Sequence, residues 1–376
     1  MTTVNGLNLD LAIQLTDNGL IRCRAGVTNK NASDYRLEAL ELFLPVSDRA
    51  THRVEFDGPA LSAVALRSGS WSVDHGVFDD RPAHLVLAEA GTGFRRGQVW
   101  QVHVAFSGAV QHRVERTAYG RTYLGGGELL QAGEIVLGTG EAYHSPWVVW
   151  TWGDGLDAAA ARLHRHVQPD VPHDDRIIFD AGGPAFAHYD RQAMVSLAEY
   201  AAAVGAETFL LDTEWCSRTG LHPYADSAGP AATGSLGDLE GLLARIRDFD
   251  LEIGFAVELE SVEADSATAR DHPDWLLTVE RDGVTRQVLD LSVRPAMTYV
   301  WERLTKLLDR HHASLLSWSI VHGAHRPGAT ATQHSSTLAA YRLLDALRER
   351  YPQTHDSDNL PRPGDGGPRD WRGAVG

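Results

Sequence analysis

Leu315-Leu316-Ser317-Trp318-Ser319-Ile320-Val321-His322-Gly323 is the stretch whose reading decides the fold. A short apolar run closed by polar residues and a glycine, with helical periodicity on both sides, reads as a buried strand of a β/α fold. In a β/α barrel the side chain at the C-terminal end of a strand points into the active site. Ser319 takes that place. Function turns on this residue, because a carboxylate there would be a nucleophile, and a serine hydroxyl with no adjacent base is a weak one.

Upstream of this strand, Met297, Val300, Trp301, Leu304, Leu307 and Leu308 form one apolar stripe, the mark of a helix packed on a sheet. WLLTVERDGVTRQVLDLS before it reads as a hairpin turning at Asp282-Gly283. Earlier come a strand at Glu252 to Val257, a helix with Leu239, Leu242, Leu243 and Ile246 on one face, and a strand at Thr208 to Asp212. A helix from about Arg191 to Val204 stops at Gly205, and a strand starts at Ile177 to Phe179. Downstream, a helix over Ser335 to Arg350 ends at Tyr351-Pro352. Residues 175–352 therefore contain four β/α units, an incomplete, half TIM-type β/α barrel. Residues 353–376, rich in Pro, Gly and charge, are predicted to be a disordered tail.

The N-terminal part has a different texture. Runs such as LEALELFLPV, AHLVLAE, VWQVHVAFSG, GEIVLGTG and WVVWTW, separated by Gly, Asp and Asn turns, predict an all-β sandwich over residues 1–153. Aromatics in Val99 to Phe106 and Trp147 to Trp152 read as packing between sheets, with a sugar-stacking platform as the other use for them. Residues 154–174 read as a connecting helix and a Pro-rich linker. His164, His166 and His173 lie close in sequence, but residues two apart do not share a helix face, so they are expected to be surface or interface histidines and no metal site is predicted.

Composition bounds the partners. With 376 residues, 43% of them hydrophobic, there is chain enough for two cores. A formal charge of −16 disfavours nucleic acid, whose binding relies on clustered Lys and Arg. No run of about 18 apolar residues predicts a membrane span, and the N-terminus lacks the pattern of a secretion signal. Cys23 and Cys216, far apart and without metal spacing, fit a reducing compartment, so the cytoplasm is the expected location. No cofactor is predicted.

The stretches GFRRGQVWQVHVAFSG, LGGGELLQAGEIVLGTGEAYHSP, AAAVGAETFLLDTEW, DHPDWLL, VLDLS and YRLLDALRERYP, in this order, resemble the family 36 glycoside hydrolases. The likeness runs from about residue 10 to 350. These are bacterial α-galactosidases with an N-terminal β-sandwich and a catalytic barrel. The resemblance implies retaining hydrolysis of terminal α-galactosides, in which one Asp attacks the anomeric carbon and a second, about 5 Å away, protonates the leaving oxygen. It also implies that the start of the sandwich and the second half of the barrel, with the acid/base strand, are absent.

Carried over residue by residue, the family's DDGW motif falls on Asp212-Thr213-Glu214-Trp215, so the first Asp and the Trp persist as substrate-binding candidates. The tryptophans of the first and third barrel strands fall on Gly182 and Ala256. The arginine before VLDLS falls on Val284, with Arg286 two residues on as its replacement. In the nucleophile motif, Lys-Trp-Asp-x-Asn-Arg in the family, this chain has Ser317, Trp318, Ser319, Val321 and His322. Trp318 joins the substrate-binding candidates, and no intact catalytic residue remains. His322, three residues beyond Ser319 along a strand, points to the opposite face. Ser357-Asp358-Asn359 loosely resembles the acid/base motif, which makes Asp358 the candidate acid. Glu258, Glu260 and Asp290 are expected to act as structural salt bridges or caps, and Asp274 to sit in a turn. Three readings follow: an inactive family member, a residual glycosidase with an improvised acid pair, and a non-catalytic carbohydrate-binding or subunit-interaction protein. The expected ligand class is the α-galactosides, and an open half-barrel predicts homo-oligomers.

Overall fold

The computed structural model describes residues 2–57, 60–65, 69–73, 84–167, 176–182, 190–211, 238–257, 260–262, 264, 266–281, 284–318, 333–352 and 354–356. The chain divides into two compact units, Met1–Val171 with Leu360–Gly376, and Pro172–Asn359. Among the described residues no helix is long and apolar enough to cross a membrane.

The first unit is built from strands β1 (Thr2–Val4), β2 (Leu7–Leu15), β3 (Ile21–Asn29), β4 (Tyr35–Leu37), β5 (Leu42–Val46), β6 (His52–Asp57), β7 (Ala60–Ala65) and β8 (Gly69–Val73). It continues with β9 (His84–Ala88), β10 (Gln98–Ala105), β11 (Val110–Arg116), β12 (Thr122–Glu128), β13 (Ile135–Leu137), β14 (Ala142–His144) and β15 (Trp147–Asp154). A nine-stranded antiparallel sheet runs β1-β2-β3-β15-β10-β9-β6-β7, with β14 also on β3, and a four-stranded sheet runs β5-β12-β11-β8. Alternation along β15 explains how they stack. Trp150 points to the smaller sheet, where its Nε1–H donates to the Leu124 carbonyl at 2.8 Å. Trp147, Trp150 and Phe106 are buried and pack the core, while Trp100 and Trp152, opposite each other on β10 and β15, are half-buried.

The other face of β15 meets helix α1 (Leu156–Val167), where Thr151 Oγ1 donates to the Ala159 carbonyl at 3.2 Å. Val54, Val86, Ala88 and Val99 close this layer against Leu156 and Ala159. Gly153 makes the approach possible, since a Cβ there would lie 2.6 Å from the Ala159 nitrogen. The helix expected to be a connector is thus packed as part of the first unit.

The second unit holds a five-stranded sheet of β16 (Ile178–Asp180), β17 (Thr208–Leu211), β18 (Glu252–Val257), β22 (Leu315–Trp318) and β23 (His355–Asp356), all parallel and in that order. Helices α2 (Arg191–Ala203), α3 (Leu239–Arg247), α4 (Ala267–Asp271), α5 (Arg294–His311) and α6 (Gln333–Arg350) lie between its strands in the chain. Their starts are written in the sequence. Asp190, Asp238 and Ser266 each accept from a backbone N–H three residues on, satisfying an otherwise orphaned donor. Leu239, Leu242, Leu243 and Ile246 are all buried, as their spacing requires. Gly205, at φ +87°, ends the α2 segment in the left-handed region where a side chain would be strained. Between β18 and β22 the predicted hairpin is present as β20 (Leu276–Arg281) and β21 (Val284–Leu289), with β19 (Ser261–Val262) alongside.

The described strands form an open sheet and no closed barrel, as an incomplete barrel requires. Two details change: the sheet has five parallel strands where four were expected, and ordered structure runs past residue 353. The fifth is β23, which lies in the stretch read as a tail from residue 353. Thr354 Oγ1 donates to the Ala313 carbonyl at 3.1 Å, and the following two residues pair with Leu315 and Leu316, whose edge would otherwise leave N–H and C=O groups bare.

Candidate active site

Strands β16, β17, β18 and β22 run parallel, so their C-terminal ends share one edge of the sheet. The register aligns Asp180 with Leu210, Leu210 with Gly254, and Gly254 with Leu315, and further along it sets Ala256 beside Ser317. Successive side chains alternate between faces. One face carries Phe179, Phe209, Leu211, Phe255, Leu316 and Trp318, and this is the face that helices cover. Phe179 meets Tyr200 of α2 with ring centroids 6.1 Å apart, and Phe255 meets His311 of α5 at 5.8 Å. The opposite face carries Asp180, Leu210, Gly254, Ala256, Leu315 and Ser317. Beyond Asp180 the chain turns, with the Gly182 N–H donating to Asp180 Oδ1 at 2.8 Å.

Against this geometry the sequence-derived site divides into three groups. Asp212, Trp215, Ser319 and Asp358 lie outside the described residues, as do Thr213, Glu214, Glu258, Val321 and His322. Trp318 corrects an expectation: it was read as substrate-binding, yet it is 4% exposed and shares the helix-covered face with Leu316. Strand alternation is the reason, since neighbours on β22 cannot both take the face opposite the helices. Its indole N–H is buried with no hydrogen-bond partner among the described residues. Arg286 is exposed on β21, opposite Val279.

Of the remaining acids, Asp290 is bound into the scaffold. Buried Asp290 accepts from the Ser292 N–H at 3.0 Å, from the Ser292 hydroxyl, and from Ser336 Oγ of α6 at 3.3 Å, while its own N–H donates to the Trp275 carbonyl at 2.7 Å. It fastens the hairpin, the approach to α5 and the start of α6 to one another. Glu260 is buried and its carbonyl accepts from Leu289 N–H at 2.7 Å. Asp274 sits exposed in a single 3₁₀ turn, Pro273–Trp275.

Sequence reading missed one cluster. His84 and His103 lie directly opposite each other on β9 and β10, on the face covered by α1, which brings His164 near them. Burial, and then the charges of His103 and His164, push the His84 pKa down to about 4. His166 is held down by burial and by Arg22. Arg22 lies 4.6 Å over the Trp147 ring and donates to Gln14 Oε1 at 2.7 Å. Nothing in the spacing of residues 84 and 103 reveals this, because ladder register is not a property of either strand alone. Among the described residues no group of three or more His, Cys, Asp or Glu could hold a metal ion. His173 lies outside the described residues.

A sandwich followed by a parallel β/α sheet is an architecture that serves many functions, so the class is decided by family. Family comparison makes the assignment specific. Residues 2–138 match the glycosyl hydrolase family 36 N-terminal domain and residues 142–361 match melibiase. The chain belongs to the family 36 melibiases. The α-galactosidase of Escherichia coli is 27% identical over 376 aligned residues, covering 93% of this chain and 52% of that protein. The chain thus spans about half the length of the curated relatives it matches. The fold is shared with the α-galactosidase of Lactobacillus brevis, at TM-score 0.76 and 19% identity, over 94% of this chain and 52% of that one. It is shared equally with a variant of AgaA from Geobacillus stearothermophilus in complex with stachyose, at TM-score 0.75 and 20% identity, over 95% and 55%.

Proposed function

We propose that this chain keeps the scaffold of an α-galactoside-hydrolysing family and has lost the hydrolysis. The observation that carries the reading is Ser319, where the family resemblance calls for the attacking Asp. Retaining hydrolysis needs a carboxylate whose charge is available for attack on the anomeric carbon and which leaves readily in the second step. A neutral hydroxyl supplies neither.

The register supports the same reading. Ala256 and Ser317 stand side by side, half-buried, on the face of the sheet opposite the helices, where the resemblance places a tryptophan and a lysine. A methyl and a hydroxyl in those places can neither stack on a sugar ring nor supply a positive charge to its hydroxyls. Arg286, offered in place of the lost arginine, is a solvent-exposed residue of the hairpin. The sugar class carried to this chain by its relatives is the α-galactosides, of which stachyose is the ligand named for AgaA. A cytoplasmic location agrees with the free, buried thiol of Cys23. Association through the half-barrel is the weaker part of the reading, because the edge strands β16 and β23 are three and two residues long.

Release of p-nitrophenol from p-nitrophenyl α-galactoside tests the proposal. The purified chain is expected to match the buffer blank, and Ser319→Asp is expected to remain silent because the sugar contacts are still missing. Turnover that disappears in Ser319→Ala would overturn it.

A further inference from the structure

The first unit carries an edge that no part of the site reading uses. Strand β2 pairs with β3 along its whole length, but β1 meets it only at Leu7, Asn8 and Leu9. Hydrogen bonds at both ends of the β2–β3 ladder fix which residues face β3. Thr16 N–H donates to the Leu20 carbonyl at 2.9 Å and Lys30 N–H to the Gly6 carbonyl at 2.8 Å. In an antiparallel ladder the bonded pairs alternate, so the even-numbered residues of β2 turn their N–H and C=O groups to β3 and the odd-numbered ones turn theirs outward. Leu7 and Leu9 spend them on β1; Leu11, Ile13 and Leu15 meet no strand among the described residues.

The same three residues have apolar side chains on one face of the strand, and these are 56%, 61% and 72% exposed. That face continues into the sandwich interior, since their ladder partners Ala25 and Cys23 are buried. Bare backbone groups and bare apolar side chains on the same residues are the two halves of a strand-addition site.

We infer that this edge pairs with the β2 edge of a second copy of the chain, antiparallel about a two-fold axis through Ile13. The register follows from what is free. Outward residues must oppose outward residues, and Leu9 is already taken by Thr2. Centring on Ile13 is the two-fold arrangement that uses all of the free positions: Leu11 faces the partner's Leu15, and Ile13 faces the partner's Ile13. Each such pair exchanges two backbone hydrogen bonds. The intervening residues agree, because Ala12 then opposes Gln14 and Asp10 opposes Thr16, so no like charges meet. The three apolar side chains that each chain leaves to solvent, six in the pair, are brought together by one symmetric, self-closing contact. β16 and β23, at three and two residues, offer shorter templates.

Light scattering after size exclusion reads the state of the full chain, whose mass is 41.0 kDa. The expected result is a concentration-dependent mass rising to twice that value, returned to the single-chain value at all concentrations by Ile13→Lys, a change at an exposed side chain. A second variant reads the register. In a background of Cys23→Ala, which removes the thiol that the ladder sets opposite Ile13, and Cys216→Ser, Ile13→Cys is expected to give a disulfide-linked dimer on mild oxidation, because paired residues lie within the ~4.4–6.8 Å Cα separation that a disulfide spans. Leu15→Cys is expected not to, since four residues of offset separate the two copies by about 13 Å. A chain that stays monomeric, a dimer indifferent to Ile13→Lys, or equal cross-linking at positions 13 and 15 would each overturn the inference.

Discussion

Acidification should destabilise the first unit in a pH window set by one half-buried histidine. Folding holds His84 at a pKa of about 4, chiefly by removing it from water, with His103 opposite it and His164 on α1 adding to the effect. In the unfolded chain an imidazole takes its proton near 6.5. The folded state therefore binds fewer protons below that value, and stability falls with pH, starting near 6.5 and levelling off below about 4. A shift of that size corresponds to about 3 kcal/mol, at ~1.4 kcal/mol for each pH unit between the two values. Urea denaturation followed by tryptophan emission at pH 7.5, 6, 5 and 4 measures it, with His84→Gln as the reference. The wild-type chain should lose about 3 kcal/mol more than the variant across this range. Parallel loss in the two proteins would refute the argument that burial keeps the proton off His84.

Other changes probe the frame around the site. Asp290→Ala removes the acceptor shared by Ser292 and Ser336 and should cost about 2–3 kcal/mol in denaturant titrations of the second unit, whereas Asp290→Asn, which keeps one acceptor oxygen, should cost less. Trp150→Phe deletes the buried bond to the Leu124 carbonyl and part of the inter-sheet packing, so a loss of about 2 kcal/mol is expected in the first unit. Arg286→Ala, at an exposed position, should change stability by less than about 0.5 kcal/mol and leave sugar binding, read by calorimetry with galactose, where it was.

Much of this architecture is legible in the sequence because its signals are local. The stripe through Leu242 and Ile246, the stop at Gly205 and the hairpin strands Leu276–Arg281 and Val284–Leu289 each depend on a few neighbouring residues, and each element lies where those residues put it. What escapes is whatever register decides. Strand β23 is two residues long and forms only because the edge of β22 is there to accept it. Trp318 looks like a site residue beside Ser319, but which face it takes follows from its pairing with Val257. His84 and His103 become neighbours only once β9 and β10 are aligned. The candidate site is legible as a set of substitutions relative to a family, Ser319 above all, and not as a geometry.

Whether position 319 can attack an anomeric carbon tests the central claim most directly. The measurement is the intact mass of the purified chain after incubation with an activated 2-fluoro α-galactosyl donor, which traps the covalent intermediate of a retaining enzyme, with the E. coli relative as the positive control. The account predicts an unchanged mass for this chain beside a labelled control. A galactosyl adduct on the peptide that contains Ser319 would contradict it.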